Sequence, residues 1–275
     1  MTHGAIDLVV SDLDGTLWHL DHDLHHRTRD ALAELERRGI PLLIATGRRL
    51  RTTAGPLAAF GLTPPAIVLN GALGVDLATD ERFHVLAIPR PSAEAVLAAF
   101  RLVGLEPCVY VDGPGTEVFL GDGWSTHPEH VASLGEFAHV DDLDRVVAEE
   151  VVLGFSVLGR PEAQLTPVLD ALGGAGVGHL NRALDYGEFS ITVTGPGMSK
   201  WEGVVAYCAK AGLDPSRVLA IGDGMNDLEL LKGAAVAVVP MDGDPLVLEV
   251  AHHTVGPAID GGWADLVPIL DLLDP

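Results

Sequence analysis

Two carboxylates stand two residues apart in the segment Asp12-Leu13-Asp14-Gly15-Thr16. The segment follows the apolar run 5–11, which predicts a buried parallel strand that ends at Asp12. Ligands of open α/β sheets bind beyond the carboxyl ends of the strands. Two carboxylates at such an end can divide a task, with one as the nucleophile and the other exchanging protons. The alternative is that Asp and Gly are ordinary loop residues after a strand.

A second acidic segment, Gly222-Asp223-Gly224-Met225-Asn226-Asp227, follows the apolar run 217–222 and begins a predicted helix. Its carboxylates are placed to share a magnesium ion with Asp12, because Mg²⁺ prefers hard oxygen ligands together with phosphate and water. Helix capping is the alternative, and it accounts for Asn226 but not for Asp223.

Two further segments carry groups that suit a phosphate. Thr46-Gly47-Arg48 follows an apolar run, and a hydroxyl with backbone amides at a helix start suits phosphate oxygens, although Thr-Gly is also common turn chemistry. Lys200 lies near a predicted helix start, where the helix dipole disfavours a cation. This position indicates another task for Lys200, with an isolated surface lysine as the alternative.

The elements that must position these residues follow one pattern at both ends of the chain. Strand–helix–strand order over 1–74, resumed over 194–275, predicts a doubly wound parallel sheet, an α/β core of Rossmann-like type. Shorter strands over 75–193, among them one at 83–88, predict an inserted α+β domain. The polar stretch 121–144 is interpreted as irregular.

The charge of the chain limits its partners. Asp and Glu exceed Lys and Arg by 39 to 17, which gives a formal net charge of −22. Such a surface repels nucleic acid and anionic membranes, so we expect neither as a partner. A phosphorylated substrate is also an anion, and its site would need a metal ion or a few well-placed cations.

The sequence also gives an indication of the cellular compartment. The chain has two cysteines, Cys108 and Cys208, and two far-apart cysteines in a chain of this size do not make a disulfide framework. The first residues lack the basic and apolar regions of a signal peptide, and no apolar run approaches the roughly 20 residues of a membrane span. We expect a soluble, cytoplasmic protein.

Taken together, the segments resemble the haloacid dehalogenase superfamily of phosphotransferases, and within it the Cof-type phosphatases with a large α/β cap. The matching pieces are DLDGTL at 12–17, ATGR at 45–48, NGA at 70–72, SK at 199–200 and GDGMND at 222–227. The chain departs from the pattern at 241–245, MDGDP, where relatives often have Gly-Asn-Ala. Any substrate contact of that Asn is therefore in doubt.

The resemblance implies a role for each catalytic and metal-binding residue. Asp12 is implied as nucleophile and magnesium ligand. Asp14 is implied as general acid and base, and as a ligand through its carbonyl oxygen. Asp223 is implied as the remaining carboxylate ligand. Thr46 and Lys200 are implied to hold the phosphoryl group.

The resemblance implies further roles around the phosphate. Asp227 is implied to contact the residues that bind the metal without binding the metal itself, and Asn226 is implied to face phosphate or substrate. Gly47, Arg48 and Asn70 are implied as pocket neighbours that bind substrate or phosphate. The inserted domain, 75–193, is implied as a cap that selects the substrate.

The implied activity is magnesium-dependent hydrolysis of a small phosphorylated metabolite, a sugar phosphate in particular, through an aspartyl-phosphate. One alternative is a phosphosugar mutase, which would need a cationic cap pocket, whereas this cap is poor in Lys. Another is a non-catalytic regulatory binder, which would not require Asp12, Asp14, Lys200 and Asp223 together. Monomer and homodimer remain open.

Other residues have ordinary interpretations. His19, His22, His25 and His26 suggest zinc, but no Cys or His set at a usual spacing accompanies them. Trp18 is interpreted as a packing residue near the site. Arg160, His179 and Arg182 lie in the predicted cap, and either substrate contact or a plain surface role fits them.

Overall fold

The chain forms two compact units in the computed structural model, which describes residues 5–19, 23–183 and 186–273. The first unit is Met1–Val85 with Ser199–Pro275, and the second is Leu86–Met198. Both divisions fall later in the chain than the boundaries predicted at 75 and 193.

Short strands and helices of up to 13 residues build both units. The strands are β1 (Leu8–Ser11), β2 (Leu42–Ala45), β3 (Pro65–Val68), β4 (Leu73–Asp76), β5 (Glu81–Val85), β6 (Cys108–Gly113), β7 (Thr116–Leu120), β8 (Ala138–Val140), β9 (Val152–Arg160), β10 (Val177–Ala183), β11 (Glu188–Thr194), β12 (Val218–Ile221), β13 (Val236–Pro240) and β14 (His253–Val255). The α-helices are α1 (His26–Arg38), α2 (Leu50–Ala59), α3 (Arg90–Leu102), α4 (Pro128–Leu134), α5 (Leu143–Glu149), α6 (Glu162–Ala171), α7 (Lys200–Ala211), α8 (Leu228–Gly233), α9 (Pro245–Leu248) and α10 (Leu266–Leu273). Within the described ranges, no helix is long and apolar enough to cross a membrane.

The first unit is built on one sheet with the strand order β14-β13-β12-β1-β2-β3-β4-β5. Pairing is parallel from β14 to β3 and antiparallel for β4 and β5. The sheet is covered on both faces. Leu8 and Val10 of β1 belong to a buried cluster with Val204 of α7, whereas Ser11, one residue further, accepts a hydrogen bond from Trp263. The predicted α/β fold class is confirmed.

The order of the strands creates a crevice at one place. Chain order runs outward from β1 through β2 and β3 on one side, and through β12 and β13 on the other. Neighbouring strands whose connections lead in opposite directions leave an opening beyond their carboxyl ends. The carboxyl ends of β1 and β12 are therefore the expected ligand-binding edge.

One predicted strand lies elsewhere than expected. The segment 83–88 was assigned to the inserted domain, whereas β5 pairs with β4 at the edge of the first sheet. A tight turn returns the chain: Asp76 Oδ1 accepts a hydrogen bond from the amide of Ala78, and Asp80 adopts a left-handed φ of 61°. Asp tolerates this conformation better than most residues.

The second unit is α+β, with the strand order β10-β11-β9-β6-β7-β8. Its core includes Phe100 of α3 and Phe155 of β9, whose ring centroids are 6.4 Å apart. The stretch 121–144 is not irregular, because it contains α4, β8 and the first residues of α5. These elements span only 7, 3 and 7 residues, too few for a clear periodicity in the sequence.

Candidate active site

The two acidic segments meet because their strands are neighbours. β1 and β12 pair in parallel with Ser11 opposite Ile221, and the amide of Asp12 donates to the carbonyl of Ile221 over 2.9 Å. Asp12 and Asp223 therefore leave the same edge of the sheet, as their positions after apolar strands predicted.

Lys200 lies between two of the carboxylates. Its side chain is fully buried, and Nζ donates to Oδ1 of Asp12 over 2.8 Å and to Oδ1 of Asp227 over 2.7 Å. Lys200 is the first residue of α7, whose N-cap is Ser199. The two carboxylates explain a cation at a helix start, where the helix dipole alone would disfavour it.

A strained turn fixes the start of α7. Leu69 and Asn70 adopt left-handed φ angles of 51° and 54°, and Gly71 has φ 107°. A Cβ on Gly71 would lie 2.0 Å from the carbonyl oxygen of Ser199, so no larger residue fits there. Strained backbone of this kind persists where the surrounding structure holds it and often lies at functional sites.

Burial shapes the ionisation of the cluster. Burial raises the pKa of Asp12 well above its usual range, and the charges of Asp227 and Asp223 add to this, although Lys200 opposes it. Burial alone would lower the pKa of Lys200, but the charges of Asp12 and Asp227 outweigh it and raise the pKa. The two carboxylates therefore favour the charged form of Lys200 in this site.

Asp223 completes the acidic cluster from β12. The hydroxyl of Thr16 donates to its Oδ1 over 2.8 Å. Burial raises the pKa of Asp223 to about 7, with a further contribution from the charge of Asp227. Gly15, with φ 74°, lets the backbone pass close by, because a Cβ there would lie 2.5 Å from Oδ2 of Asp223.

Three carboxylates have the spacing of a metal site. One oxygen from each of Asp12, Asp223 and Asp227 lies within 4.8 Å of the others. If all three are ionised, Lys200 offsets one of their charges, and a divalent cation would offset the other two. Hard oxygen donors of this kind fit magnesium. The residues of the described chain therefore fit a divalent cation.

Asp227 is the least available of the three as a ligand. Its Oδ1 accepts from Lys200 and its Oδ2 accepts from the amide of Gly224 over 3.0 Å. Within the described residues, hydrogen bonds reach the side-chain carboxylate of Asp12 only at Oδ1, so Oδ2 is open to a metal or a phosphorus atom. These contacts fit the predicted supporting role of Asp227, which stays a prediction.

The side chain of Asp14 is held apart from this cluster. Arg48 donates to both its oxygens, from Nε to Oδ2 over 2.5 Å and from Nη2 to Oδ1 over 2.6 Å. Trp18 Nε1 donates to Oδ1 over 3.0 Å. Trp18 was interpreted as packing and Arg48 as a phosphate neighbour, and neither contact with Asp14 was expected.

The remaining predicted phosphate residues lie at adjacent strand ends. Thr46 follows β2, and its Oγ1 accepts from the amide of Arg48 over 3.2 Å. Asn226 Nδ2 donates to Oδ1 of Asn70 over 3.0 Å. Gly47 lies against the same amide group, because a Cβ on it would approach Asn70 Oδ1 to 2.9 Å.

Two residues that the sequence did not single out hold the backbone of Asp12 in place. Ser11 Oγ donates to the carbonyl of Asp12 over 2.6 Å and accepts from Trp263 Nε1 over 2.9 Å. Ser11 and Trp263 are both buried. Because Ser11 and Trp263 are far apart in the chain, no local sequence pattern predicts their hydrogen bond.

The atypical loop after β13 also reaches the site. The amide of Asp244 donates to the carbonyl of Asp223 over 2.8 Å, and the Asp244 side chain caps α9 by accepting from the amide of Leu246. The segment 241–245 thus supports the backbone of Asp223, whatever contact it makes with substrate.

The other singled-out residues lie outside this cluster. Arg160 donates to the carbonyl of Ser125, and Arg182 lies over the ring of Phe189, all within the second unit. His179 belongs to β10.

The histidine group has a structural use where it is described. His25 is the N-cap of α1 and accepts from the amide of Arg27, and its ring lies 4.2 Å from that of His26. His19 follows the Asp12 segment, and His22 lies outside the described residues.

The family model for haloacid dehalogenase-like hydrolases matches residues 9–267. This chain belongs to that family. Among its relatives are a phosphoglycolate phosphatase of Methanopyrus kandleri, 29% identical over 89% of this chain and 88% of the relative, and an HMP-PP phosphatase of Cronobacter sakazakii, 28% identical over 88% and 86%. A solved HAD subclass IIB sugar phosphatase has the same fold, with a TM-score of 0.76 and 22% identity over 97% of this chain and 99% of that one. The predicted superfamily is confirmed.

Proposed function

We propose that this hydrolase removes the phosphate group of a small phosphorylated metabolite, a sugar phosphate in particular, through an aspartyl-phosphate on Asp12. The observation that carries the proposal is the buried cation Lys200 between Asp12 and Asp227, with Asp223 close by. A pure binding site would not need a nucleophilic carboxylate with an open oxygen beside a fixed cation.

The first step forms the phosphoenzyme. Oδ2 of Asp12 attacks phosphorus, the bond from phosphorus to the leaving oxygen breaks, and a proton from Asp14 goes to that oxygen. Lys200 and the hydroxyl of Thr46 stabilise the charge on the phosphoryl oxygens. Asp12, Asp223 and the carbonyl of Asp14 would hold a magnesium ion, which would supply screening of the two approaching anions from each other.

The second step releases phosphate. A water oxygen attacks phosphorus, the bond from phosphorus to Asp12 breaks, and the water proton passes to Asp14, which restores the starting state. Asn70 and Asn226, joined by their side-chain amides, are proposed to orient the phosphate together with Gly47.

The names of the relatives support the proposed substrate class. Phosphoglycolate phosphatase, HMP-PP phosphatase and the sugar phosphatase carry names that specify small phosphorylated molecules. The second unit, inserted between the Asn70 segment and Lys200, is proposed as the part that selects among them.

A screen of phosphorylated metabolites tests the proposal. Released phosphate would be measured with magnesium and with chelator, for the native chain and for Asp12→Asn. We expect magnesium-dependent turnover that is abolished in Asp12→Asn, while Asp30→Asn, at an exposed position of α1, keeps full activity. Native protein quenched during turnover should carry a phosphate adduct on Asp12. Full turnover by Asp12→Asn, or in chelator, would exclude the mechanism.

A further inference from the structure

The carboxylate of Asp14 is enclosed by donors from two side chains. The guanidinium of Arg48 contacts both oxygens through Nε and Nη2, and the indole of Trp18 contacts Oδ1. The two donors also support each other, because Cζ of Arg48 lies 5.5 Å from the centre of the Trp18 ring. Trp18 is 1% exposed, and its position is therefore fixed by packing.

The backbone reinforces this arrangement. The amide of Gly15 donates to the carbonyl of Trp18 over 3.0 Å, and the amide of Trp18 donates to the carbonyl of Leu13 over 3.1 Å. The loop after β1 thus closes on itself with Asp14 inside the closure. Nη1 of Arg48 donates to the carbonyl of Thr52 in α2 over 3.0 Å, which anchors the guanidinium from its far side.

We propose that Arg48 and Trp18 are positioning residues that set the direction of the Asp14 carboxyl group, which gives its proton to the leaving oxygen in the first step and takes one from water in the second. This inference rests on the proposed function, in which Asp14 is the general acid and base. A planar guanidinium that binds both oxygens of a carboxylate fixes its rotation as well as its place. Proton transfer in a transition state depends on such geometry, since a displacement of about 1 Å in an active site can cost about 10²-fold in rate.

The arrangement assigns Arg48 a different task from phosphate binding. Three of its nitrogens are engaged, two with Asp14 and one with Thr52. A phosphate-binding arginine would act on every substrate alike, because all substrates share the phosphate. A residue that directs the acid acts most on substrates whose leaving oxygen needs a proton.

Two substrates of similar size separate these roles. Benzyl phosphate has a poor alkoxide leaving group, whereas para-nitrophenyl phosphate has an activated one that needs little protonation. For a reaction through a phosphoenzyme, kcat/KM reports the first step only. The ratio of the two kcat/KM values is independent of the amount of correctly folded enzyme, so a variant that folds poorly still gives a valid ratio.

The variants are Arg48→Ala, Arg48→Lys and Trp18→Phe, with Arg51→Ala as an exposed control in the same helix region. We expect Arg48→Ala to lower the benzyl to nitrophenyl ratio by about 10- to 100-fold, a part of the roughly 10²–10⁴-fold typical of general acid–base catalysis. Arg48→Lys should behave like Arg48→Ala, because an ammonium lacks the planar pair of donors that binds both oxygens of a carboxylate. Trp18→Phe should lower the ratio by about 3- to 10-fold, because it removes one of three donors. Arg51→Ala should leave the ratio unchanged.

A double variant completes the test. In Asp14→Asn the ratio should already be low, and adding Arg48→Ala should lower it little further, since the two residues act through one proton transfer. Equal losses of kcat/KM on both substrates, a native ratio in Arg48→Lys, or an additive loss in the double variant would each overturn the inference. The proposed function fails separately, if Asp12→Asn turns over substrate or Asp12 carries no phosphate adduct.

Discussion

Two triads of this protein have the same charges and opposite surroundings. In the first unit, Lys200 lies between Asp12 and Asp227. In the second, Arg101 lies between Glu106 and Asp144, with N–O distances of 2.8 Å to each. The side chain of Lys200 is fully buried, whereas Arg101 is 36%, Glu106 20% and Asp144 72% exposed.

The difference in burial determines how much each set of ion pairs contributes to stability. An exposed ion pair is screened by water and contributes little to stability. A buried one costs desolvation that its attraction only partly repays, and apolar residues of similar volume are often at least as stable there. The buried triad is therefore poorly explained by stability, and its place at the edge of β1 and β12 agrees with a catalytic use.

The largest expected effect comes from removing the buried cation. Lys200→Met keeps most of the side-chain volume and leaves Asp12 and Asp227 buried without their partner. Breaking a buried pair in this way costs roughly 3–5 kcal/mol. We expect this loss in the free energy of unfolding, measured by urea denaturation in chelator, together with loss of turnover.

The control for that variant is Lys210→Met, which removes an exposed lysine paired with Glu81 over 2.9 Å. Lys210→Met should cost about 1 kcal/mol or less. The comparison of the two triads would be wrong if the two lysine variants lost similar stability.

The second effect concerns pH and the metal. Because burial raises the pKa of Asp223 to about 7, the folded chain without metal holds a proton there more tightly than the unfolded chain, whose carboxyl titrates near 3.8. Raising the pH from about 4 to about 7 therefore removes stability, and the loss is complete above about 7. Asp223→Asn should reduce the stability difference between pH 5 and pH 8 in chelator by an amount on the order of a few kcal/mol.

Magnesium should counteract the loss of stability at higher pH in the native chain. A cation competes with protons for the carboxylates, so the stabilisation by magnesium should be larger at pH 8 than at pH 5. Thermal melting in magnesium and in chelator at both pH values checks this. Exposed Asp30→Asn serves as the matched control. A magnesium effect that is equal at both pH values, or that persists in Asp223→Asn, would argue against Asp223 as a ligand.

Much of the fold, and the meeting of the two acidic segments at one edge of the sheet, could be predicted because both follow from local patterns. Apolar runs that end in Asp12 and Asp223 indicate parallel strands, and parallel strands place their carboxyl ends at one edge. The position of Lys200 at a helix start was informative for the same reason. A cation is unfavourable at a helix start, and the hydrogen bonds of Lys200 to two carboxylates explain why it is found there.

What could not be predicted depends on contacts between distant segments. The partner of Arg48 is Asp14, and the partner of Ser11 is Trp263, and no spacing in the sequence reveals either pair. Strand β5 was assigned to the wrong domain because its residues are half-exposed and alternate weakly, as an edge strand permits. Tertiary packing decides such positions, and short-range propensity does not.

The smallest effect is expected from the exposed triad itself. Arg101 binds Glu106 through Nε and Nη2 and reaches Asp144 through Nη1, so its geometry is favourable for a surface network. Arg101→Met keeps the apolar stem and removes the charge, so that any change reports the ion pairs rather than lost packing. We expect a loss of about 1 kcal/mol or less in the free energy of unfolding, and a smaller loss at high sodium chloride, because salt screens exposed charges. Urea denaturation at low and high salt measures both values. A loss above roughly 3 kcal/mol, the range of a broken buried pair, would show that exposure does not separate the two triads.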